Sequence, residues 1–375
     1  MQTNQRADNS GYFHRHMIVA GLALTGLLVG ACSNAGRVRR PPPVETNDLP
    51  AFYGAWETYT DQVNASERQP DCRPRLIAAR ATGERRGAVV MFHGFGGCPQ
   101  QLFGMAARVA AQGYDVLLPL QPGHGLLPDA DGNDDLSHLP QPGEAVNRYG
   151  ELAVRMNDIM ARSPGEKIVV GFSLGGAVSL YASLNAPDLY ERQLLLSPML
   201  AIRGGSFIEG LVEVLGHAPG VRNLVVKPGA IRERCHEWQA AGRAGFCDYR
   251  LKDVIALLDL EDRNESLYAG RSLKMPIQVV VAGDEKYVSN ARIVDLVAQQ
   301  SRHGPIALCA LPADVPHEML SPYENTGRRM YWLEGLLDGA VGFIVDGRFF
   351  ASAPGDDQTG SVPTACQLNP SLDRS

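Results

Sequence analysis

The chain has no excess of basic charge. Its 375 residues carry 35 lysines and arginines against 41 acids, a formal net charge of −6. Nothing in that balance draws a polyanion, so no nucleic acid is expected as a partner. No repeat of fixed period is visible, which argues against solenoids and propellers. Neither G-x-G-x-x-G nor a glycine loop ending in G-K-[ST] occurs, and a phosphate or dinucleotide cradle is disfavoured. The stretch "HEM" (317–319) is not H-E-x-x-H, so zinc chemistry has no support. "DADGNDD" (129–135) starts like a calcium loop but lacks the glutamate at its twelfth position, and a polar turn explains it as well. No cofactor and no metal are expected.

Long apolar runs are scarce too. "MIVAGLALTGLLVG" (17–30) follows Arg6, Arg15 and two histidines and ends at Ala31-Cys32. It is short for a membrane span and has the length of a signal h-region. "VGAC" resembles the bacterial lipobox, in which the cysteine becomes the lipidated first residue of the mature chain. That resemblance makes 1–31 a lipoprotein signal peptide and Cys32 the lipidation site. Ser33 stands where an aspartate would indicate inner-membrane retention, so the expected location is the cell envelope, at the outer membrane of a Gram-negative bacterium. Residues 32–50 are proline-rich and polar and are read as a tether. A folded domain is expected over 51–346 and a tail over 347–375 that is loose except near Cys366.

With Cys32 assigned to lipid, six cysteines remain, and an even number in an exported chain invites disulfides. Closeness in sequence favours Cys235–Cys247. Cys72–Cys98 and Cys309–Cys366 are then the remaining pairs, although the sequence does not choose between pairings. "CHEWQAAGRAGFC" (235–247) offers Cys/His metal ligands as well, but a disulfide-closed loop suits an exported protein better.

Between tether and tail, apolar strands alternate with amphipathic helices. "GAVVMF" (87–92), "YDVLLPL" (114–120), "KIVVGF" (167–172), "RQLLLS" (192–197), "IQVVVA" (277–282) and "PIALCAL" (305–311) are continuous apolar runs, as strands buried on both faces should be. Helical spacing occupies 99–112, 144–162, 175–185 and 292–300. This alternation predicts an α/β fold with a mostly parallel sheet and helices on both faces. Residues 198–275 are far longer than a crossover needs and contain helix-like pieces, which predicts a helical cap over the carboxyl edge of the sheet.

The chemistry-bearing stretches sit at strand ends. "GFSLGG" (171–176) continues the strand "KIVVGF" and opens a helix, giving G-x-S-x-G in a strand–turn–helix setting. Such a turn lifts the Oγ of Ser173 above the sheet. "HGFGG" (93–97) closes the strand "GAVVMF" with a glycine-rich turn that has a histidine at its mouth. His317, in "LPADVPHEMLSP" after the strand "PIALCAL", is the candidate base. The other histidines lie in the signal segment (His14, His16), in turns (His93, His124) or away from strand ends (His138, His217, His236, His303).

The order "HGFGG … GFSLGG … AGDEKYVSN … VPHEM" resembles the α/β-hydrolases, in the monoglyceride lipase and carboxylesterase branch, over residues 75–345 or so. The resemblance implies an α/β-hydrolase fold with the cap inserted between strands 6 and 7 of the family count. It implies Ser173 as nucleophile, His317 as base and Phe95 and Leu174 as the oxyanion hole. The acid departs from the family pattern, because Lys286 stands at the usual place. Asp284 and Glu285 are the alternatives, and counting back from Val288 favours Glu285. Cleavage of carboxylic esters through an acyl-enzyme is the expected activity. A peptidase or thioesterase with the same triad, or a catalytically silent binding lipoprotein, are the alternatives. The partners expected are a small-molecule ester or acyl substrate and a membrane, reached through the lipid anchor. If Cys32 carries the lipid, Cys32→Ala abolishes acylation and releases the protein from membrane fractions. An unmodified wild-type chain by mass spectrometry would contradict the anchor.

Overall fold

The computed structural model describes residues 48–80, 85–203, 221, 223–224, 229–349 and 365–367; the side chains of 229–232 and 365–367 are not described. The proposed signal, Cys32 and the tether up to residue 47 lie outside the described residues.

The buried strands dictate the architecture. In β2 (Gly87–Phe92) every residue is buried: Ala88, Val90 and Phe92 join one core cluster, and Val89 and Met91 the other. A strand with two apolar faces must lie between two layers of helices. The same alternation runs through β3 (Tyr114–Leu118), β4 (Glu166–Phe172), β5 (Arg192–Leu196) and β6 (Ile277–Val281). With β7 (Ile306–Ala310), these six strands pair in parallel. Two three-residue strands, β1 (Arg75–Ile77) and β8 (Ala365–Gln367), pair antiparallel at the two edges. Among the described residues the order is β1-β3-β2-β4-β5-β6-β7-β8.

Helices α1 (Leu49–Asn64), α3 (Ala145–Arg162), α4 (Leu174–Asn185), α6 (Leu251–Ala269) and α7 (Asn290–Gln300) cover one face. Helices α2 (Phe103–Ala110) and α8 (Leu333–Asp346) cover the other. A further helix, α5 (Gly229–Ala240), lies in the connection from β5 to β6. This is the mostly parallel, helix-flanked sheet expected from the sequence.

Two boundaries differ from expectation. The tether was expected to reach residue 50, but α1 begins at Leu49, with Asp48 accepting the N–H of Ala51 as N-cap and Phe52, Trp56 and Tyr59 buried. The tail was expected to be loose except near Cys366, and there β8 sets Cys366 opposite Cys309, which is disulfide-bonded. The expected cap, 198–275, divides. Its last part, α6, packs against α3 and α4, burying Ala256, Leu257 and Leu260 and donating from Asn264 Nδ2 to the Ala177 carbonyl at 2.9 Å. A crossover from β5 to β6 must cover the sheet face with a helix, and α6 does so. Residues 204–220 of the expected cap fall outside the described residues.

One carboxylate ties the leading segment to the sheet. Asp115, on β3 and 1% exposed, accepts from Tyr53 Oη of α1 (2.8 Å), the Ala79 N–H after β1 (2.8 Å) and Arg85 Nε (2.6 Å). Removing one member of a largely buried ion pair strands the other charge, at a cost of about 3–5 kcal/mol. Asp115→Ala is therefore expected to lower unfolding stability in urea by about 3 kcal/mol or more. A loss well under about 1 kcal/mol, the range of exposed pairs, would contradict this anchoring role.

Candidate active site

Ser173 follows β4 and precedes α4 with φ 53° and ψ −120°, a left-handed conformation that a non-glycine residue adopts only when its surroundings impose it. The surroundings are tight. A Cβ on Gly171 would lie 2.2 Å from the Gly175 carbonyl oxygen, and one on Gly175 would lie 2.1 Å from that of Phe92. The Ser173 N–H donates to Leu196 O at 2.9 Å, and its carbonyl accepts from Gly176 at 2.8 Å and Met199 at 2.9 Å. Neighbouring strands and the first turn of α4 thus fix this turn from three sides.

The turn after β2 is built for a free donor. Gly97 N–H closes back on Gly94 O at 3.2 Å, and Gly96 has φ 72°, the sign a type II turn needs at its third residue. His93 is fully buried; its Nε2 accepts the Gln121 N–H at 3.1 Å, so Nδ1 carries the proton and donates to Gly94 O at 2.9 Å. Burial, with the nearby His124, holds His93 well below the ordinary imidazole range and so neutral. Carbonyl and N–H point to opposite sides of a trans peptide. The bonds to Gly94 O therefore aim the Phe95 N–H the other way. No acceptor among the described residues takes the N–H of Phe95 or of Leu174. Leu174 is the first residue of α4, where the helix leaves its N–H unpaired.

His317 and the two acid candidates come from the loops after β7 and β6. These loops touch where a Cβ on Gly283 would lie 2.0 Å from the Pro312 carbonyl. His317 Nδ1 meets Glu285 Oε2 at 2.8 Å, and both side chains are buried. Glu285 Oε1 accepts the N–H groups of Tyr287 (2.9 Å) and Val288 (3.1 Å), so the glutamate curls back onto its own loop. Asp284 turns away and pairs with Lys286 at 2.8 Å. Burial alone would raise Glu285, but the hydrogen bond and charge of His317 and the two N–H groups bring it below its ordinary value. Burial lowers His317, and Glu285, followed by Glu318 and Glu324, outweighs this and leaves it above its ordinary 6.5. The His317 loop is braced by Asn325 Nδ2, which donates to Glu318 O (2.8 Å) and Ser321 O (2.9 Å), and by Trp332 Nε1 to Met319 O (2.9 Å).

Ser173 and His317 line one cavity of about 270 Å³, with Phe95 at its wall. Phe172, Met199, Trp238, Phe246 and Leu257 make much of it apolar. Of the residues singled out in the sequence, Ser173, His317 and Phe95 line this cavity, Glu285 adjoins it through its hydrogen bond to His317, Leu174 directly follows Ser173, and Asp284 pairs with Lys286 instead. Trp238, Arg243 and Phe246, from the β5–β6 connection, carry no motif and are identified as wall residues only by the fold. Disulfides Cys72–Cys98 and Cys235–Cys247 flank the site, the first one residue past the "HGFGG" turn. Asp129 spends its carboxylate inside its own turn, on the N–H groups of Asp131 and Asn133.

A fold of this topology with a G-x-S-x-G turn over its carboxyl edge defines the α/β-hydrolases. The model of the serine aminopeptidase S33 family matches residues 83–310, and the chain belongs to this family of hydrolases. No curated protein matches the sequence significantly. Among solved structures, the monoacylglycerol lipase of Paleococcus ferrophilus is similar at 17% identity, over 73% of this chain and 98% of that one, with a TM-score of 0.53. A soluble variant of the Saccharomyces cerevisiae monoglyceride lipase is similar at 10% identity, over 73% and 91%, also with a TM-score of 0.53. A metagenome-derived lipolytic enzyme is similar at 17% identity, over 74% and 99%, with a TM-score of 0.52. At these identities the likeness concerns the fold.

If Glu285 orients and charges His317, Glu285→Gln lowers turnover by about 10⁴-fold, the loss seen when a triad acid is removed. Asp284→Asn, which touches only an exposed ion pair, leaves turnover nearly unchanged. The pH profile separates the two further. His317 must be neutral to accept a proton, so activity falls as pH drops through a pKa above 6.5, and losing the Glu285 charge moves that acid limb to lower pH. The reverse ranking of the two variants would move the role to Asp284.

Proposed function

We propose that the chain is a membrane-tethered serine hydrolase that cleaves carboxylic esters through an acyl-enzyme. Ser173 Oγ attacks the acyl carbon while His317 Nε2 takes its proton, and the C=O electron pair moves onto oxygen. The N–H groups of Phe95 and Leu174 hold that oxyanion. The intermediate collapses, and His317 passes the proton to the departing alcohol. Water then repeats the sequence on the acyl-serine, with Glu285 holding the imidazole in one tautomer throughout. The observation that carries this proposal is the buried Glu285–His317 hydrogen bond at a cavity that the strained Ser173 and Phe95 also line.

The apolar wall supports an acyl chain or other apolar group as the substrate's bound part. The lipolytic names of the similar structures point the same way, while the family's description as serine aminopeptidases supports a peptidase as the second reading. Placement at the outer membrane through a lipid on Cys32 rests on the "VGAC" stretch. Two disulfides in the described residues agree with an oxidising compartment.

A fluorophosphonate probe is expected to label the wild type at Ser173 and to leave Ser173→Ala unlabelled. Among p-nitrophenyl acyl esters, acyl thioesters and aminoacyl amides, the esters are expected to turn over with the highest kcat/KM. Preference for the amides would replace the esterase with the peptidase, and absence of labelling would leave a silent binding protein.

A further inference from the structure

The far side of the "HGFGG" turn is held by a group that the chemistry above does not use. The Gly96 carbonyl accepts the Phe246 N–H at 3.0 Å and Arg243 Nη2 at 2.9 Å. The same guanidinium donates through Nε to Glu324 Oε1 at 2.5 Å and through Nη1 to Phe246 O at 3.3 Å. Arg243 and Glu324 are buried, 8% and 9% exposed. Three segments far apart in sequence meet here. Gly96 belongs to the turn that offers Phe95, Arg243 to the β5–β6 connection, and Glu324 to the loop that carries His317.

Burying a charged pair is an expensive way to fill space, and apolar side chains of similar volume often serve stability as well or better. A guanidinium adds something that an apolar side chain lacks. Its donors form a rigid planar fork, so the acceptors it binds are held in one mutual geometry. Here those acceptors are a carbonyl of the oxyanion turn, a carbonyl of its neighbour strip and a carboxylate of the histidine loop. The approach is close by construction: a Cβ on Gly245 would lie 2.2 Å from the Gly96 oxygen. The disulfide Cys235–Cys247 closes the very loop from which Arg243 projects.

We propose that Arg243 is a positioning residue that locks the oxyanion turn to the histidine loop, so that the Phe95 N–H and the His317 imidazole keep a fixed spacing. His93 and Gln101 already hold the Gly94 end of the turn, through Gly94 O and Gly94 N, the latter donating to Gln101 Oε1 at 3.0 Å. Arg243 holds the Gly96 end, and with both ends pinned the Phe95 N–H cannot rotate out of the cavity. The connection after β5 then belongs to the catalytic apparatus as well as to the substrate wall. This inference rests on the serine hydrolase proposed above.

The test compares wild type, Arg243→Gln and Arg243→Lys in ester hydrolysis and in binding of an alkylboronic acid, which adds to a serine as a tetrahedral anion. Loss of a positioned oxyanion donor is expected to lower kcat of Arg243→Gln by about 10²-fold, with KM within about threefold. Boronate affinity is expected to fall by the same factor as kcat. Lysine keeps the charge opposite Glu324 but cannot span all three acceptors, so Arg243→Lys is expected to lose about tenfold in both quantities. That variant decides the matter if the glutamine variant does not fold. Wild-type kcat in either folded variant, or a rise in KM with boronate affinity intact, would show a residue that only shapes the wall and would overturn the inference. A wild type inert to both ester and fluorophosphonate would overturn the hydrolase proposal and this one with it. A reactive wild type with indifferent Arg243 variants would overturn this one alone.

Discussion

The backbone at Ser173 is the constraint on which the site depends. A serine at φ 53° costs of order 1–3 kcal/mol and persists only where packing leaves no alternative. Here the alternative is removed by close approaches at Gly171 and Gly175 and by hydrogen bonds from the turn to β5 and the loop beyond it. Relaxing the turn would separate β4 from α4, whose buried residues run along most of its length. The strain is therefore carried by the central strand and helix of the domain. It sets Ser173 at the cavity, with the Leu174 N–H unpaired at the start of α4.

Around this turn the loops are held by polar contacts and the cavity is walled by apolar ones. His93, Gln101 and Arg243 fix the "HGFGG" turn through its backbone groups. Asn325 and Trp332 fix the histidine loop through its carbonyls. The rings of Phe95, Phe246, Tyr249 and His124 pack edge-on at 5.1–5.8 Å, a geometry that aromatic quadrupoles favour. Burial, with the charge of Arg68 adding to it, lowers His124 to about 4, so it adds no charge to the apolar wall. Such a division holds the backbone of the loops by directed bonds while leaving the cavity wall apolar.

Much of this was legible in the sequence because it is local. Continuous apolar runs marked the six parallel strands, and G-x-S-x-G between strand and helix marked Ser173. The acid was harder, since Asp284 and Glu285 are neighbours and Lys286 occupies the familiar place. Counting back from Val288 favoured Glu285, whose extra bond of about 1.5 Å gives reach to a shorter turn. The least legible features are those set by distant partners. Edge strands β1 and β8 have three residues each, too few for a periodic signal. Helix α1 does carry a stripe, Phe52, Trp56 and Tyr59, but it adjoins a proline run that disguises its start. Arg243 lies in no motif, and its role is set by Gly96 and Glu324, which are 147 and 81 residues away.

The central claim is that one covalent intermediate forms on one serine. The direct measurement is a mass spectrum of the intact protein and its peptides, acid-quenched within milliseconds of mixing with a slowly deacylated ester. The account predicts an added acyl mass on the peptide containing Ser173, rising and decaying at rates that reproduce turnover. Acyl mass on any other residue, or turnover with no acylated peptide at any time, would contradict it.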